Sequence, residues 1–187
     1  MHAFKNRNFL HNLGVVLFVA SIAFVLVAAR KVTASPVDSD NTFAMKAASG
    51  GMNEVKLGQL AAEKGTNPAV KQFGERMVSD HSKANDELKS VASQNNMTLP
   101  SDISKTDAAM YERLSKLSGP EFDKAYAREM VKDHEQDVAE FHKESTVGKN
   151  PALKEFASRT LPTLQSHLQE ARQMQKAVMS SSSSSGM

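Results

Sequence analysis

The chain has 187 residues, and its 23 Lys and Arg against 21 Asp and Glu leave a formal net charge of +2, with no Cys and no Trp. The absence of cysteine excludes disulfide bonds, thiolate metal sites and thiol catalysis. A nearly balanced charge, with nine Phe and two Tyr as the aromatic residues, argues against a dedicated nucleic-acid binder.

The N-terminal segment, residues 1–34, has the composition of an export signal. It carries four basic residues and no acidic one, and it contains an uncharged apolar run of 17 residues, Leu13 to Ala29. Compact residues at Val32 and Ala34 suit cleavage after Ala34, whereas the length of the run approaches the roughly 17 to 25 residues that span a bilayer. Residues 1–34 are therefore predicted to be either a cleaved signal peptide or an N-terminal anchor with residues 10–31 in the membrane.

The remaining chain is predicted to be one helical domain between two unstructured segments. Residues 35–42 are polar and are predicted to be a linker, and residues 179–187 include six consecutive serines and are predicted to be a disordered tail. Between them, residues 43–178 are rich in Ala, Glu, Lys, Gln, Leu and Met, without the apolar–polar alternation of strands.

Capping residues place four long helices within this domain. They are predicted at 43–64, 68–94, 120–148 and 151–178, because Gly65 suits a helix end and Asn67-Pro68 and Asn150-Pro151 suit helix starts. About 25 residues with one short helix separate the second and third helices, and a connection of that length fits a crossover along a bundle. The sequence therefore predicts an all-α, ferritin-like four-helix bundle with a long crossover, preceded by the hydrophobic N-terminal helix.

An internal repeat supports two related hairpins. Residues 65–73 (GTNPAVKQF) match residues 148–156 (GKNPALKEF) at an offset of 83, and the same offset carries Glu54 onto Asp137. A second echo, at an offset of 53, relates the Met-x-x-Asp-His segments at 77–81 and 130–134. We interpret the first repeat as a duplicated helical hairpin.

One histidine lies on the apolar face of each of the last three long helices, and the first helix contributes a carboxylate. With a rise of about 1.5 Å per residue, the crossover topology brings all four groups to a similar depth in the bundle. Imidazole and carboxylate ligands suit iron, copper, zinc or manganese. The predicted metal ligands are Glu54, His81, His134 and His167.

Further residues near these positions are candidates for supporting roles. Three carboxylates are predicted to orient the imidazoles or to bridge a metal: Asp80, Asp133 and Asp137. Met77 and Met130 lie one turn before two of the histidines, where they either offer thioethers to copper(I) or fill the core. The alternative interpretation of the histidines is a structural or pH-sensing role.

Several motifs together resemble a known family. The Met-x-x-Asp-His segments, the Asn-Pro-Ala helix starts and the run GGMNEVKLG at 50–58 are similar to the exported bacterial domain-of-unknown-function 4142 family, over about residues 43–178. The resemblance implies a ferritin-like fold and a location in the bacterial envelope, in the periplasm or at the outer membrane, or with an inner-membrane anchor. It implies no reaction.

The di-iron pattern of ferritin-like enzymes is only partly matched. Those enzymes carry Glu on the first and third helices, which Glu54 and Asp137 match, and Glu-x-x-His on the second and fourth. Here the second helix has Val78 in place of the Glu, and the fourth has His167-x-x-Glu170 in reverse order. Phosphate-loop, nucleophile-elbow and Rossmann motifs are also missing from the sequence, so an enzyme is not favoured.

Two functions remain open from the sequence. The first is binding of a transition metal in envelope metal or oxidative-stress handling. The second is a non-catalytic envelope module that interacts through its surface, as a homo-oligomer or with an envelope partner.

Overall fold

The computed structural model describes residues 36–184, with side chains from 39 to 180. This part of the chain is all-α, with five helices and no strand: α1 (Pro36–Lys64), α2 (Pro68–Gln94), α3 (Lys105–Ser115), α4 (Gly119–Val147) and α5 (Pro151–Ser184). The predicted signal or anchor segment, 1–34, lies outside the described residues. Among the described helices, none combines the length and hydropathy that crossing a membrane requires.

Local capping chemistry sets the helix starts that the sequence predicted. The side chain of Asn67 accepts a hydrogen bond from the backbone N–H of Ala69, and Asn150 does the same for Ala152, both at 2.9 Å. Proline follows each asparagine, where its missing N–H costs no helical hydrogen bond. The short α3 begins with a reciprocal capping box between Ser104 and Asp107.

The outer helix ends differ from the prediction. Helix α1 already begins at Pro36, so most of the predicted linker is helical, and α5 continues to Ser184 through most of the predicted tail. Proline is tolerated in the first turn of a helix. Asp40 is 2% exposed in that early part of α1 and accepts a hydrogen bond from the backbone N–H of Asn150 at 2.6 Å. This distant contact ties down a segment that looks unstructured in the sequence.

The long helices pack as two hairpins, α1 with α2 and α4 with α5, and α2 also packs on α5 and α1 on α4. The first hairpin is unusually close at Gly58 and Gly74, because a Cβ atom on either glycine would lie 2.6 Å from the backbone oxygen of the other. Glycine at both positions lets the two backbones meet.

Two equivalent contacts at the helix starts fix the directions of the hairpins. Asp123, near the start of α4, accepts from the backbone N–H of Asn67 at the start of α2 (2.8 Å). Asp40, near the start of α1, makes the same contact with Asn150 at the start of α5. Therefore α2 and α4 run in one direction and α1 and α5 in the other. Asp40 and Asp123 are 83 residues apart, so these contacts follow the internal repeat.

The apolar core falls into two clusters along the helices. One contains Phe73, Tyr126 and the fully buried Leu114 of α3, and the other contains Phe141 and Phe156. Buried polar side chains lie at the boundary between these clusters, and they form the site described next.

Candidate metal centre

Each long helix contributes one buried polar side chain to the same place in the core. Glu54 on α1 is 3% exposed, His81 on α2 is 5% exposed, His134 on α4 is fully buried, and His167 on α5 is 1% exposed. The structure thus brings together the four residues that the sequence singled out as ligands, although metal binding itself stays a prediction.

The three imidazole rings form a compact triangle. The ring centroid of His81 lies 5.8 Å from that of His134 and 5.3 Å from that of His167, and the last two centroids are 5.3 Å apart. One ligand atom from each histidine lies within 4.8 Å of the others. Phe73 packs edge-on against the rings of His134 and His167, which closes the site on the side of the first core cluster.

One nitrogen of each ring is held by an acceptor outside the triangle. These pairs are His81 Nδ1 with Glu54 Oε2 at 2.8 Å, His134 Nδ1 with the backbone oxygen of Met130 at 2.9 Å, and His167 Nε2 with Asp80 Oδ2 at 2.9 Å. A backbone oxygen can only accept, so the proton of neutral His134 lies on Nδ1. Acceptors of this kind orient the histidine ligands of metal sites.

The other nitrogen of each ring is buried and has no hydrogen-bond partner among the described residues: His81 Nε2, His134 Nε2 and His167 Nδ1. Glu54 Oε1 is also buried without a hydrogen-bond partner among the described residues, and it lies 3.4 Å from His134 Nε2. A buried polar atom without a partner costs about 1 to 3 kcal/mol. Three ring nitrogens and one carboxylate oxygen without partners in one place are an arrangement that a cation stabilises when the imidazoles are neutral.

The spacing is close to that of a metal site. Ligand atoms at 2.0 to 2.1 Å from a tetrahedral metal are about 3.4 Å from each other. The nitrogens of the triangle lie within 4.8 Å, so modest inward movement of the rings brings them to that spacing. The three histidines therefore fit an ion with three nitrogen ligands, and Glu54 can add an oxygen ligand once its carboxylate releases His81 Nδ1.

Burial sets the charge state of the histidines. It lowers the pKa of His134 below its usual value and lowers that of His167 to about 4, so both are neutral near pH 7, the form that binds metals. Burial also acts to lower the pKa of His81, but the neighbouring Glu54 carboxylate outweighs it and raises that pKa. For Glu54, burial acts to raise the pKa, but the adjacent histidines outweigh it and lower the pKa to about 2, which keeps the carboxylate ionised.

The three supporting carboxylates take different places. Asp80 accepts a hydrogen bond from His167, and its role in orienting a metal ligand stays a prediction. Burial, followed by the charge of Glu54, raises the pKa of Asp137 well above its usual value. Asp133 lines a surface cleft next to the site, where burial and the charge of Glu54 raise its pKa to about 7.

Arg76 is part of the site although the sequence did not point to it. Its Nε donates to Asp80 at 3.2 Å, and its other nitrogens contact Glu170 and, at 3.3 Å, Ser166. Burial acts to raise the pKa of Asp80, but the hydrogen bonds from His167 and Arg76 outweigh it and lower that pKa. The available signal was its position four residues before Asp80 on one face of α2.

The two methionines are part of the core. Met77 and Met130 are fully buried in the first apolar cluster, and Met130 also supplies the backbone oxygen that holds His134. The core-filling interpretation accounts for both side chains, and thioether ligation stays a prediction.

Fold and site together define an all-helical domain with a buried cluster of three histidines and a glutamate. The chain belongs to the DUF4142 family, a domain of unknown function, whose sequence model matches residues 26–174. No protein of curated function matches the sequence.

Two solved structures share the fold. One is a DUF305 fragment from Deinococcus radiodurans, with a TM-score of 0.62 and 14% identity over 75% of this chain and 95% of the fragment. The other is CopM in its Cu(II)-bound form, with a TM-score of 0.63 and 15% identity over 74% of this chain and 96% of CopM. At this identity the likeness concerns the fold alone.

Proposed function

We propose that this protein binds one divalent transition-metal ion through His81, His134 and His167, with Glu54 as the fourth ligand. The observation that carries the proposal is the convergence of three buried histidines: one ligand atom from each lies within 4.8 Å of the others, and each ring has one nitrogen without a hydrogen-bond partner among the described residues. The rings of His134 and His167 are already oriented by acceptors that are not proposed ligands, so these two rings need little ordering when the ion enters. The fold shared with CopM, a protein solved with Cu(II), supports the same class of function.

The architecture that we propose for this site is a ferritin-like four-helix bundle. The two hairpins α1–α2 and α4–α5, the common direction of α2 and α4, and the link through α3 all favour it. In such a bundle each long helix projects one ligand inward.

The ligand set favours copper(II) and zinc over harder ions. Imidazole nitrogen suits zinc, copper and iron, and for a given site the affinity of divalent ions rises toward Cu²⁺ and falls at Zn²⁺. Three histidines and a glutamate complete a four-coordinate shell, and closed shells are typical of binding sites without catalysis. We therefore assign the protein to metal handling, through binding and release, rather than to a reaction at the metal.

Metal analysis of the full-length protein tests this function. The chain is purified without a histidine tag, in mild detergent because of its apolar N-terminal segment, loaded with Cu(II) or Zn(II), freed of excess ion and analysed for metal per chain. We expect one equivalent. The His81→Ala, His134→Ala double variant should retain less than a tenth of it, whereas His142→Ala, which changes an exposed histidine on α4, should bind normally.

Two results contradict the proposal. If the wild-type protein retains no metal, the histidines have the structural or pH-sensing role of the alternative function, and a surface partner carries the activity. If the double variant binds as the wild type does, the ligands lie elsewhere. Circular dichroism of each variant shows whether the helices are intact and so separates lost ligands from lost folding.

We also propose that the domain works outside the cytoplasm, in the bacterial envelope. This proposal rests on the basic and apolar character of residues 1–34. The N-terminal sequence of the protein recovered from the periplasm and from membranes tests it: a start at Ser35 shows cleavage, a start in the first residues shows a retained anchor, and recovery from the cytoplasm alone refutes export.

A further inference from the structure

An acidic cleft of about 510 Å³ opens at the surface beside the histidine cluster. It lies between α1, α4 and the segment that leads into α3, and its carboxylates are Asp102, Asp107, Asp133, Asp137 and Glu140. Two of these carboxylates are paired with lysines, Glu140 with Lys46 at 2.6 Å and Asp102 with Lys56 at 3.1 Å. The remaining carboxyl groups still outnumber the basic groups of the cleft, and an excess of negative charge in a cleft concentrates cations.

The inner end of the cleft reaches the proposed metal ligands. Glu54 lines the cleft with its buried carboxylate, which also contacts His81 at 2.8 Å and lies 3.4 Å from His134. Next to it, Asn53 is 2% exposed, and its side-chain oxygen has no hydrogen-bond partner among the described residues. Two buried acceptors without partners at the cleft floor suit a cation that arrives with its hydration waters, because those waters donate hydrogen bonds.

The opposite face of the site lacks this excess of carboxyl groups. There Arg76 pairs with Asp80 and Glu170, and Arg76 and Glu170 line a surface pocket together with Phe73. The guanidinium group keeps its positive charge at all relevant pH values and offsets the charge of its partners, so this face attracts a cation less than the cleft does. The ring of Phe73 also covers His134 and His167 from this direction.

We propose that the acidic cleft is the entry route by which a divalent cation reaches the three histidines, with Asn53 and Glu54 receiving the ion at its floor. The proposal rests on the proposed function and adds the direction of access to it. Entry on the α1–α4 side, rather than the α2–α5 side, follows from the excess of carboxyl groups in the cleft and from the ring of Phe73, which covers two of the histidines on the other side.

Gly50 offers a way to block this route without disturbing the fold. It lies on α1 and lines the cleft, and a Cβ atom added there would meet nothing within 4 Å. Lysine and leucine are also better helix formers than glycine, by roughly 0.5 to 1 kcal/mol. A larger side chain at Gly50 therefore fills the cleft while the helix remains at least as stable.

The test compares rates of metal entry in matched variants of the full chain. Gly50→Lys adds bulk and positive charge to the cleft, Gly50→Leu adds bulk alone, and Gln72→Lys adds the same charge at an exposed position on the opposite face, in the pocket with Arg76. Stopped-flow mixing with Cu(II) or Zn(II) gives the association rate, and metal analysis gives the final occupancy.

We expect association to slow by at least about fivefold in Gly50→Lys, and less in Gly50→Leu, while Gln72→Lys stays within about twofold of wild type. Added salt should narrow the difference between the two Gly50 variants, because it screens the added charge. All three variants should still fill to one equivalent.

The outcomes separate this proposal from the proposed function. If the wild type takes up no metal, both fail. If the wild type fills normally and Gly50→Lys loads at the same rate, the route is wrong while the function stands. If Gln72→Lys is the variant that slows, the ion enters between α2 and α5.

Discussion

Replacement of Asp80 by asparagine tests whether the outer hydrogen bond of an imidazole sets the affinity of the proposed metal site. In the structure Asp80 Oδ2 accepts from His167 Nε2 at 2.9 Å, which leaves His167 Nδ1 as the nitrogen that faces the other histidines. Asparagine keeps the shape and can still accept that hydrogen bond. The substitution therefore removes the negative charge and leaves the ring oriented.

The geometry gives the size of the effect. A metal about 2 Å from His167 Nδ1 would lie roughly 7 Å from the Asp80 carboxylate, across the ring. At an effective dielectric constant of about 20, two unit charges at that distance attract each other by about 2 kcal/mol. Arg76, at 3.2 Å from Asp80, offsets part of this attraction for a divalent ion. We therefore expect the dissociation constant to rise tenfold to a hundredfold, or by about 1.4 to 2.7 kcal/mol.

Competition with a chelator of known affinity at fixed pH measures this change. Glu170→Gln is the matched control, because Glu170 contacts Arg76 and has no direct contact with His167 among the hydrogen bonds described. Its dissociation constant should stay within about threefold of wild type. An Asp80→Asn variant with wild-type affinity, or a Glu170→Gln variant that loses as much as Asp80→Asn, would refute the reasoning.

Three further predictions concern the protein without metal, kept so by a chelator. Burial raises the pKa of Asp137, so the folded chain retains a proton that the unfolded chain releases near pH 4. The Asp137→Asn variant should therefore become more stable relative to wild type as pH rises. Urea denaturation at pH 4.5, 6 and 8 measures this, and a constant difference in unfolding free energy between the two proteins would contradict it. Asp123→Ala removes the acceptor for two loop N–H groups and should cost about 2 to 4 kcal/mol in urea denaturation, whereas a loss below 1 kcal/mol means that water replaces the carboxylate. Gly58→Ala should lower the melting temperature, because the added Cβ atom would meet the backbone of Gly74. Gly50→Ala should raise it, because the added Cβ atom lies in open space. A higher melting temperature in both variants would show that α1 and α2 are not tightly packed at Gly58.

The helix starts were predictable because their causes are local. Asparagine followed by proline caps a helix within three residues, and the structure begins α2 and α5 at those prolines. The start of α1 was not predictable, because the contact that holds its first turn joins Asp40 to Asn150 across 110 residues of sequence. A polar segment that is stabilised by so distant a partner resembles a linker when only the residues next to it in the sequence are considered.

The placement of the four candidate ligands followed from geometry that helices share. A constant rise per residue and one apolar face per helix suffice to estimate the depth of a side chain in a bundle. Two other features could not be predicted from this geometry: the contacts of Arg76 with Asp80 and Glu170, and the acidic cleft. The contacts depend on how α2 is rotated against α5, and the cleft depends on where α3 lies across α1. Those quantities are set by side-chain packing over the whole domain and leave little trace in the spacing of residues.

The internal repeat relates two carboxyl groups whose pKa values shift in opposite directions. Glu54 and Asp137 are equivalent at the offset of 83 residues, and both line the same cleft. Two adjacent carboxyl groups cannot both ionise without cost, so their pKa values separate. The histidines determine which of the two carboxyl pKa values is lowered, because they do not follow the repeat. At the same offset His81 corresponds to Leu164, and the other two histidines correspond to a glycine and an alanine. The histidines outweigh burial and lower the pKa of Glu54, whereas burial and the charge of Glu54 raise that of Asp137. Because only one of the two related positions favours the ionised form, we expect one metal ion per chain where a symmetric site would hold a pair.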